Sequence, residues 1–97
     1  MPYMRVADLK PGMRSVNIRV RVVEVSEPRT VQTRYGVARV ADAVVEDSSG
    51  RVKMSLWNEQ VDQVSPGDTI DIENGYTTQF RGSVQVNVGR YGRIVKV

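Results

Sequence analysis

The aromatic rings of this chain stand where a core would not put them. Residues 73–92 read ENGYTTQFRGSVQVNVGRYG and hold three of the six aromatic side chains, Tyr76, Phe80 and Tyr91, among Gly, Thr, Gln and Arg. Trp57 ends the run RVKMSLW and shares the parity of Lys53 and Ser55, not that of Val52, Met54 and Leu56. In a strand, that parity points it away from the apolar face. Leaving an indole in water forgoes roughly 2–3 kcal/mol of burial, so it needs a partner. Flat rings beside Arg and Lys can stack on the bases of an unpaired nucleic-acid strand while the cations take the phosphates. Each stacked base is worth about 1–3 kcal/mol, and every base has a π-face, so little sequence preference is required. Trp57, Tyr76 and Phe80 are therefore the candidate stacking platforms. Lys53, Arg81, Arg34 and Arg39 are candidate backbone contacts, with Tyr35, Arg90 and Tyr91 as secondary candidates. Tyr3 reads as a terminal packing residue. Two packing alternatives stand beside this. Trp57 can fold over the mouth of the domain or under residues 58–64. Tyr76 and Phe80 can close its bottom, because their parity continues that of Ile70 and Ile72.

Positioning rings in this way takes strands, and strand periodicity dominates the chain. VNIRVRV places Val16, Ile18, Val20 and Val22 on one face, with Asn17, Arg19 and Arg21 on the other. The phase slips at Val22–Val23, which predicts a bulge and a sharp bend. RTVQTRYG reads as a polar loop carrying Arg29, Arg34 and Tyr35. VARVADAVVED is a second strand, and Asp47–Gly50 a tight turn. RVKMSLW is a third strand with clean alternation. NEQVDQV is the stretch compatible with a short helix, with Val61 and Val64 inward. Pro66–Gly67 turns into a fourth strand with Ile70 and Ile72 inward, and Gly75 and Gly82 read as a bulge and a turn. SVQVNV is a fifth strand, which RIVKV extends beyond a Gly89–Gly92 kink. The expected fold is all-β: a single domain over residues 1–97, a five-stranded OB-fold Greek-key barrel with one short helical insert between strands 3 and 4. An SH3-like barrel is the next choice. In an OB barrel the usual binding face is strands 2–3 with the loops joining strands 1–2 and 4–5. Trp57, Lys53, Arg34, Tyr35, Tyr76, Phe80 and Arg81 all map there.

Composition narrows the chemistry. The chain has 97 residues, no Cys and no His, which removes disulfides, thiolate metal sites and the commonest general base. No phosphate-binding GxxxxGK[ST] or nucleophile–base pair is present, so no enzyme activity and no cofactor are expected. Asp42, Glu46 and Asp47 read as solvated strand-edge acids rather than a metal cluster. No apolar run approaches a membrane span, and no signal peptide is evident, which points to an intracellular, cytoplasmic protein. The net charge of +3 is unevenly spread: residues 1–36 carry +4, residues 37–75 carry −5 and residues 76–97 carry +4. If the ends meet in space, they form a basic surface that attracts polyanions.

The segments VNIRVRVVEVSEPRTVQTRYG, VVEDSSGRVKMSLWNEQ and PGDTIDIENGYTTQFRGSVQVNVG resemble the archaeal single-OB-fold single-stranded-DNA-binding proteins. Those are similar in turn to the simple OB-fold proteins of the eukaryotic sensor-of-ssDNA complex and to replication protein A domains. The resemblance spans roughly residues 6–90. It implies stacking by Trp57, Tyr76 and Phe80, with Tyr76 standing where some relatives carry Trp, and backbone contacts by Arg81 and Lys53. It implies single-stranded DNA as partner, in replication and repair, with no membrane. Relatives often continue into a flexible polar or acidic tail that recruits replication and repair proteins, and this chain stops at Val97. Single-stranded RNA as ligand, or a protein-interaction scaffold, are the alternatives, since stacking alone does not distinguish the sugars.

Overall fold

Strand β1 (Val16–Val25) is bent, and the bend closes the domain. The computed structural model describes residues 3–89 and 91–97. Val16, Ile18, Val20 and Val22 are buried along one side of β1. Between Val22 and Glu24 its register against β3 (Gly36–Asp47) slips, so the expected bulge lies at Val23. The bent strand pairs with β3 along its second half and with β5 (Thr69–Phe80) along its first. With β4 (Gly50–Trp57) and β6 (Ser83–Asn87), the order round the barrel is β1–β3–β4–β6–β5 and back to β1. β4 and β6 run parallel and the other barrel neighbours antiparallel. This is the five-stranded OB barrel. The short helix α1 (Gln60–Gln63) lies between its third and fourth strands, with Val61 and Val64 buried. The core is aliphatic, with Ile18, Met54, Leu56, Ile70, Ile72 and Val86 fully covered, whereas all six rings are exposed. Among the described residues no helix is long and apolar enough to cross a membrane.

Two strands lie off the barrel and correct the sequence expectation. RTVQT is not loop but β2 (Arg29–Thr33), one arm of a hairpin that pairs with the start of β3 across an Arg34–Tyr35 turn. None of its side chains is buried, so no core-facing period marks it. RIVKV does not prolong the fifth strand. It forms β7 (Arg93–Lys96), which pairs antiparallel with Ile70–Glu73 of β5.

A second bulge decides what β5 shows to solvent. Between Ile72 and Gly75, β5 carries one residue more than its partner β1. Asn74 takes the left-handed conformation there, with φ 56°, which Asn tolerates better than most residues. Its backbone N–H donates to Asn17 Oδ1 (3.0 Å) and its side-chain amide donates to the Tyr91 carbonyl (3.1 Å). One extra residue reverses the facing of everything after it. Ile70 and Ile72 point inward; beyond the bulge Gly75 and Thr77 are buried, and Tyr76, Thr78 and Phe80 are exposed. The alternative in which Tyr76 and Phe80 close the barrel bottom fails on this reversal. The bulge expected at Gly75 thus lies one residue earlier, at Asn74, and Gly75 is also needed for room: a Cβ there would lie 3.0 Å from Ile72 Cγ2 and 3.1 Å from the Asn87 carbonyl.

Ion pairs join the acidic middle of the chain to its basic ends: Arg19–Asp71, Arg21–Glu46, Arg29–Asp42, Arg93–Glu73 and Lys96–Asp68. The expected basic surface from the two ends is thereby partly neutralised, while Lys10, Arg14, Arg34 and Arg81 form no ion pair among the described residues. The most covered acid is Asp71, which takes both Arg19 Nε (2.6 Å) and the Tyr3 hydroxyl (2.8 Å), while the Arg19 guanidinium lies 5.1 Å from the Tyr3 ring centre. Arg19 first, with Tyr3 helping, holds Asp71 below the usual carboxylate range against its burial. Burial pushes Asp47 up, but the Ser49 hydroxyl and the N–H groups of Val6, Ser49 and Gly50 outweigh it, and the net is a lowered value. Arg21 and Arg51 lower Glu46. All three acids titrate lower in the folded chain than their ordinary values of 3.8 or 4.5. Their contribution is complete above those values and is lost as pH falls through the folded ones. The thermal midpoint should therefore stay level from pH 7 to about 5 and fall progressively below about pH 4.5. Asp47→Asn and Asp71→Asn should each lower the midpoint at pH 7 and flatten its acid limb. A midpoint constant down to pH 3 would contradict this account.

Candidate nucleic-acid interface

Paired residues lie side by side on one face of a sheet, so the register lays out the outer face of β3, β4, β6 and β5. Asp42, Ser55, Asn87 and Tyr76 form one row; Val44, Lys53, Gln85 and Thr78 form the next. Trp57 stands one row before the first, beside Val40, and Phe80 one row after the second, beside Ser83. The three rings thus occupy one continuous face, and the rows from Trp57 to Phe80 span about 20 Å. Lys53 lies between them. The floor is polar and self-satisfied: the Gln85 side-chain amide donates to Ser55 Oγ, and that of Asn87 donates to Thr78 Oγ1 at 3.1 Å.

Local structure holds each ring. Trp57 is 37% exposed, and its cross-strand partner Val40 is buried without belonging to the barrel core. Tyr76 is 41% exposed and its ring lies against Gly89, where a Cβ would be 3.0 Å from Tyr76 Cε1. Trp57 and Tyr76 line one cleft of about 950 Å³, together with Thr33, Arg34, Tyr35 and Val37 of the β2–β3 hairpin. Phe80 is outside that cleft, near the tip of the β5–β6 hairpin. Arg81 and Gly82 make the two-residue turn there, with φ 52° and 81°, the pattern of a type I′ hairpin turn. The Arg81 guanidinium lies 5.3 Å from the Phe80 ring centre.

The cations divide by pairing. Arg34, Lys53 and Arg81 form no ion pair among the described residues; nor do Lys10 and Arg14, on the segment joined to Thr77 through Gly12 and Met13. Arg39 differs from expectation. Its guanidinium donates to Asp62 Oδ2 (2.7 Å) and to the Asn58 carbonyl (3.3 Å), bracing the turn after Trp57, so a phosphate would have to displace Asp62. Tyr35, 90% exposed, is on the cleft wall; Tyr91, 83% exposed, is not among the cleft residues. Arg90 lies outside the described residues. Asp42, Glu46 and Asp47 are engaged by Arg29, by Arg21 and Arg51, and by Ser49 with Val6. Sequence reasoning missed Gln60, Val37 and Gly89 as parts of the cleft. Only Gly89 carried a local cue, a glycine, and its partner Tyr76 is remote in the chain.

Comparisons with known proteins bear on the family and the fold. A family model described as single-stranded DNA binding protein Ssb-like, OB fold, matches residues 9–96. The single-stranded DNA binding protein Ssb of Saccharolobus solfataricus is 45% identical over 92 residues, covering 95% of this chain and 62% of that protein. The chain thus spans less than two thirds of that relative. Replication factor A of Methanothermobacter thermautotrophicus is 27% identical over 96 residues, 98% of this chain and 12% of that protein. The second OB-fold domain of replication protein A from Methanococcus maripaludis superposes with a TM-score of 0.81 at 22% identity, covering 99% of this chain and 95% of that one. At that identity the likeness speaks for the fold alone. The length of the family match decides membership: the chain belongs to the Ssb-like single-stranded-DNA-binding proteins of OB fold, a family of binding proteins and not of enzymes.

Proposed function

We propose that this domain captures single-stranded DNA with little sequence preference and shields it during replication and repair. Bases stack on Trp57, Tyr76 and Phe80, while Arg34, Lys53 and Arg81 neutralise phosphates. One observation carries the proposal: three exposed rings share a face with Lys53, and that face is flanked by Arg34 and Arg81, which form no ion pair among the described residues. Each amide of the polar ladder already donates within it, Gln85 to Ser55 and Asn87 to Thr78, which favours stacking over base reading. The name of the Saccharolobus relative supports DNA as the polymer, and that of the Methanothermobacter relative supports a place in replication.

The test is a titration of labelled oligo-dT and oligo-U at several salt concentrations. Three phosphates neutralised on a single strand give a slope of log affinity against log salt of about −2, hence about 20-fold weaker binding at 200 mM than at 50 mM salt. Lys53→Ala and Arg81→Ala should each reduce that slope by about 0.7. Salt-independent binding, or none to either polymer at low salt, would overturn the proposal. Tighter binding to oligo-U would redirect it to RNA.

A further inference from the structure

We propose that Gln60, a residue of the helical insert, is a positioning residue that sets the separation of the Trp57 and Tyr76 platforms. The inference rests on the stacking function proposed above and adds a residue to it. Gln60 is half-buried in the wall of the cleft. Its Oε1 accepts the backbone N–H of Trp57 at 3.0 Å, and its Nε2 donates to the carbonyl of Val88 at 3.1 Å. Both ends of one amide are therefore spent, each on a backbone that carries or supports a ring. Val88 immediately precedes Gly89, and Gly89 is the surface against which the Tyr76 ring lies.

The geometry explains why a side chain is needed. β4 and β6 pair in parallel only through Lys53–Ser55 and Gln85–Asn87. Past that point the two strands have no further ladder: Trp57 runs into the Asn58 turn, with φ 53°, and β6 ends at Asn87. The backbone N–H of Trp57 and the carbonyl of Val88 are left facing a gap, and the Gln60 amide spans it. Gln is the side chain that fits, since it offers an acceptor and a donor on one short planar group. The other flank of the same turn is already tied to β3, because Asn58 Oδ1 accepts the Arg39 N–H at 3.1 Å and Arg39 pairs with Asp62. Gln60 supplies the matching tie toward β6. Without it, the two backbones can part, and stacked bases need both rings at one fixed spacing.

A double-mutant cycle on oligo-dT at low salt tests this, using Gln60→Ala in the parent and in Trp57→Ala. Gln60→Ala alone should weaken binding about 10-fold, with the thermal midpoint lowered by no more than a few degrees. The slope against salt should be unchanged, because Arg34, Lys53 and Arg81 are untouched. In the ligand-free protein the Trp57 emission should shift to longer wavelength as the indole loses its fixed seat. In the Trp57→Ala background the same substitution should cost less than 3-fold, since there is no indole left to place. Gln60→Glu, which keeps the acceptor for Trp57 but loses the donor to Val88, should fall between parent and Gln60→Ala. Equal losses in both backgrounds would make Gln60 a direct ligand contact, and no loss in the parent would remove it from the site; either result overturns the proposal. If the parent itself fails to bind oligo-dT, it is the stacking function that fails, while the emission shift still reports whether Gln60 seats Trp57.

Discussion

Trp57→Ala is expected to weaken binding of oligo-dT about 5- to 150-fold, the range set by losing one base stacked at about 1–3 kcal/mol. The indole is the largest of the three proposed platforms and is the best supported, resting beside buried Val40 with its backbone held by Gln60. Tyr76→Ala should fall in the same range, because Tyr76 shares the cleft. Phe80→Ala should cost less: its ring is 57% exposed, stands outside the cleft and is braced mainly by Arg81. Anisotropy of a labelled strand is the appropriate measurement, since Trp57→Ala removes the only indole. The salt slope should stay close to that of the parent in each ring variant. This pattern separates stacking from charge: rings move the affinity at every salt concentration, cations move the slope. Unchanged affinity in both Trp57→Ala and Phe80→Ala would leave the outer face without a stacking role.

The largest effect on stability is expected from Gly92→Ala. Gly92 opens the approach of β7 to the bulged part of β5. A Cβ there would lie 2.8 Å from the Asn74 carbonyl oxygen, 2.9 Å from that of Glu73 and 3.1 Å from Val88 Cγ1. Two of these neighbours are backbone atoms that cannot rotate away, so either β7 or the bulge must shift. Overpacking of this kind costs about 1–3 kcal/mol, which in a domain of this size lowers the thermal midpoint by about 5–20 °C. Circular dichroism on heating measures it. Gly82→Ala is the instructive comparison. Its Cβ meets nothing within 4 Å, and its cost comes only from a φ of 81° that L side chains rarely adopt. A midpoint for Gly92→Ala equal to the parent's would show that β7 contributes little to holding the barrel.

The barrel was legible in the sequence wherever a strand has one wet and one dry face. Val16, Ile18, Val20 and Val22 announce β1, the doubled Val22–Val23 announces its bulge, and Val52, Met54 and Leu56 put Trp57 outside by simple parity. β2 was not legible because it touches one neighbour and buries nothing. The partner of β7 was not legible either, since Ile94 marks an inward face without saying which strand lies alongside. The facing of Tyr76 and Phe80 depended on the conformation of Asn74, and a left-handed φ leaves no mark in the pattern beyond the residue type. Arg39 looked as free as Arg34. Its acid, Asp62, is 23 residues away and arrives only when α1 folds against the end of β4. For the same reason Gln60 was not legible as a site residue: its two partners, Trp57 and Val88, are brought together only by the fold.

The bulge at Asn74 has a consequence for how such a domain gains or loses its role. Deleting that one codon would leave every ring and every cation in the chain, yet it would turn Tyr76 and Phe80 toward the interior and Thr77 outward. For the exposure of Tyr76 and Phe80, a single-residue deletion is therefore as decisive as substituting the rings themselves. Comparing domains of this type by their rings alone would overlook the spacing that determines whether the rings face solvent.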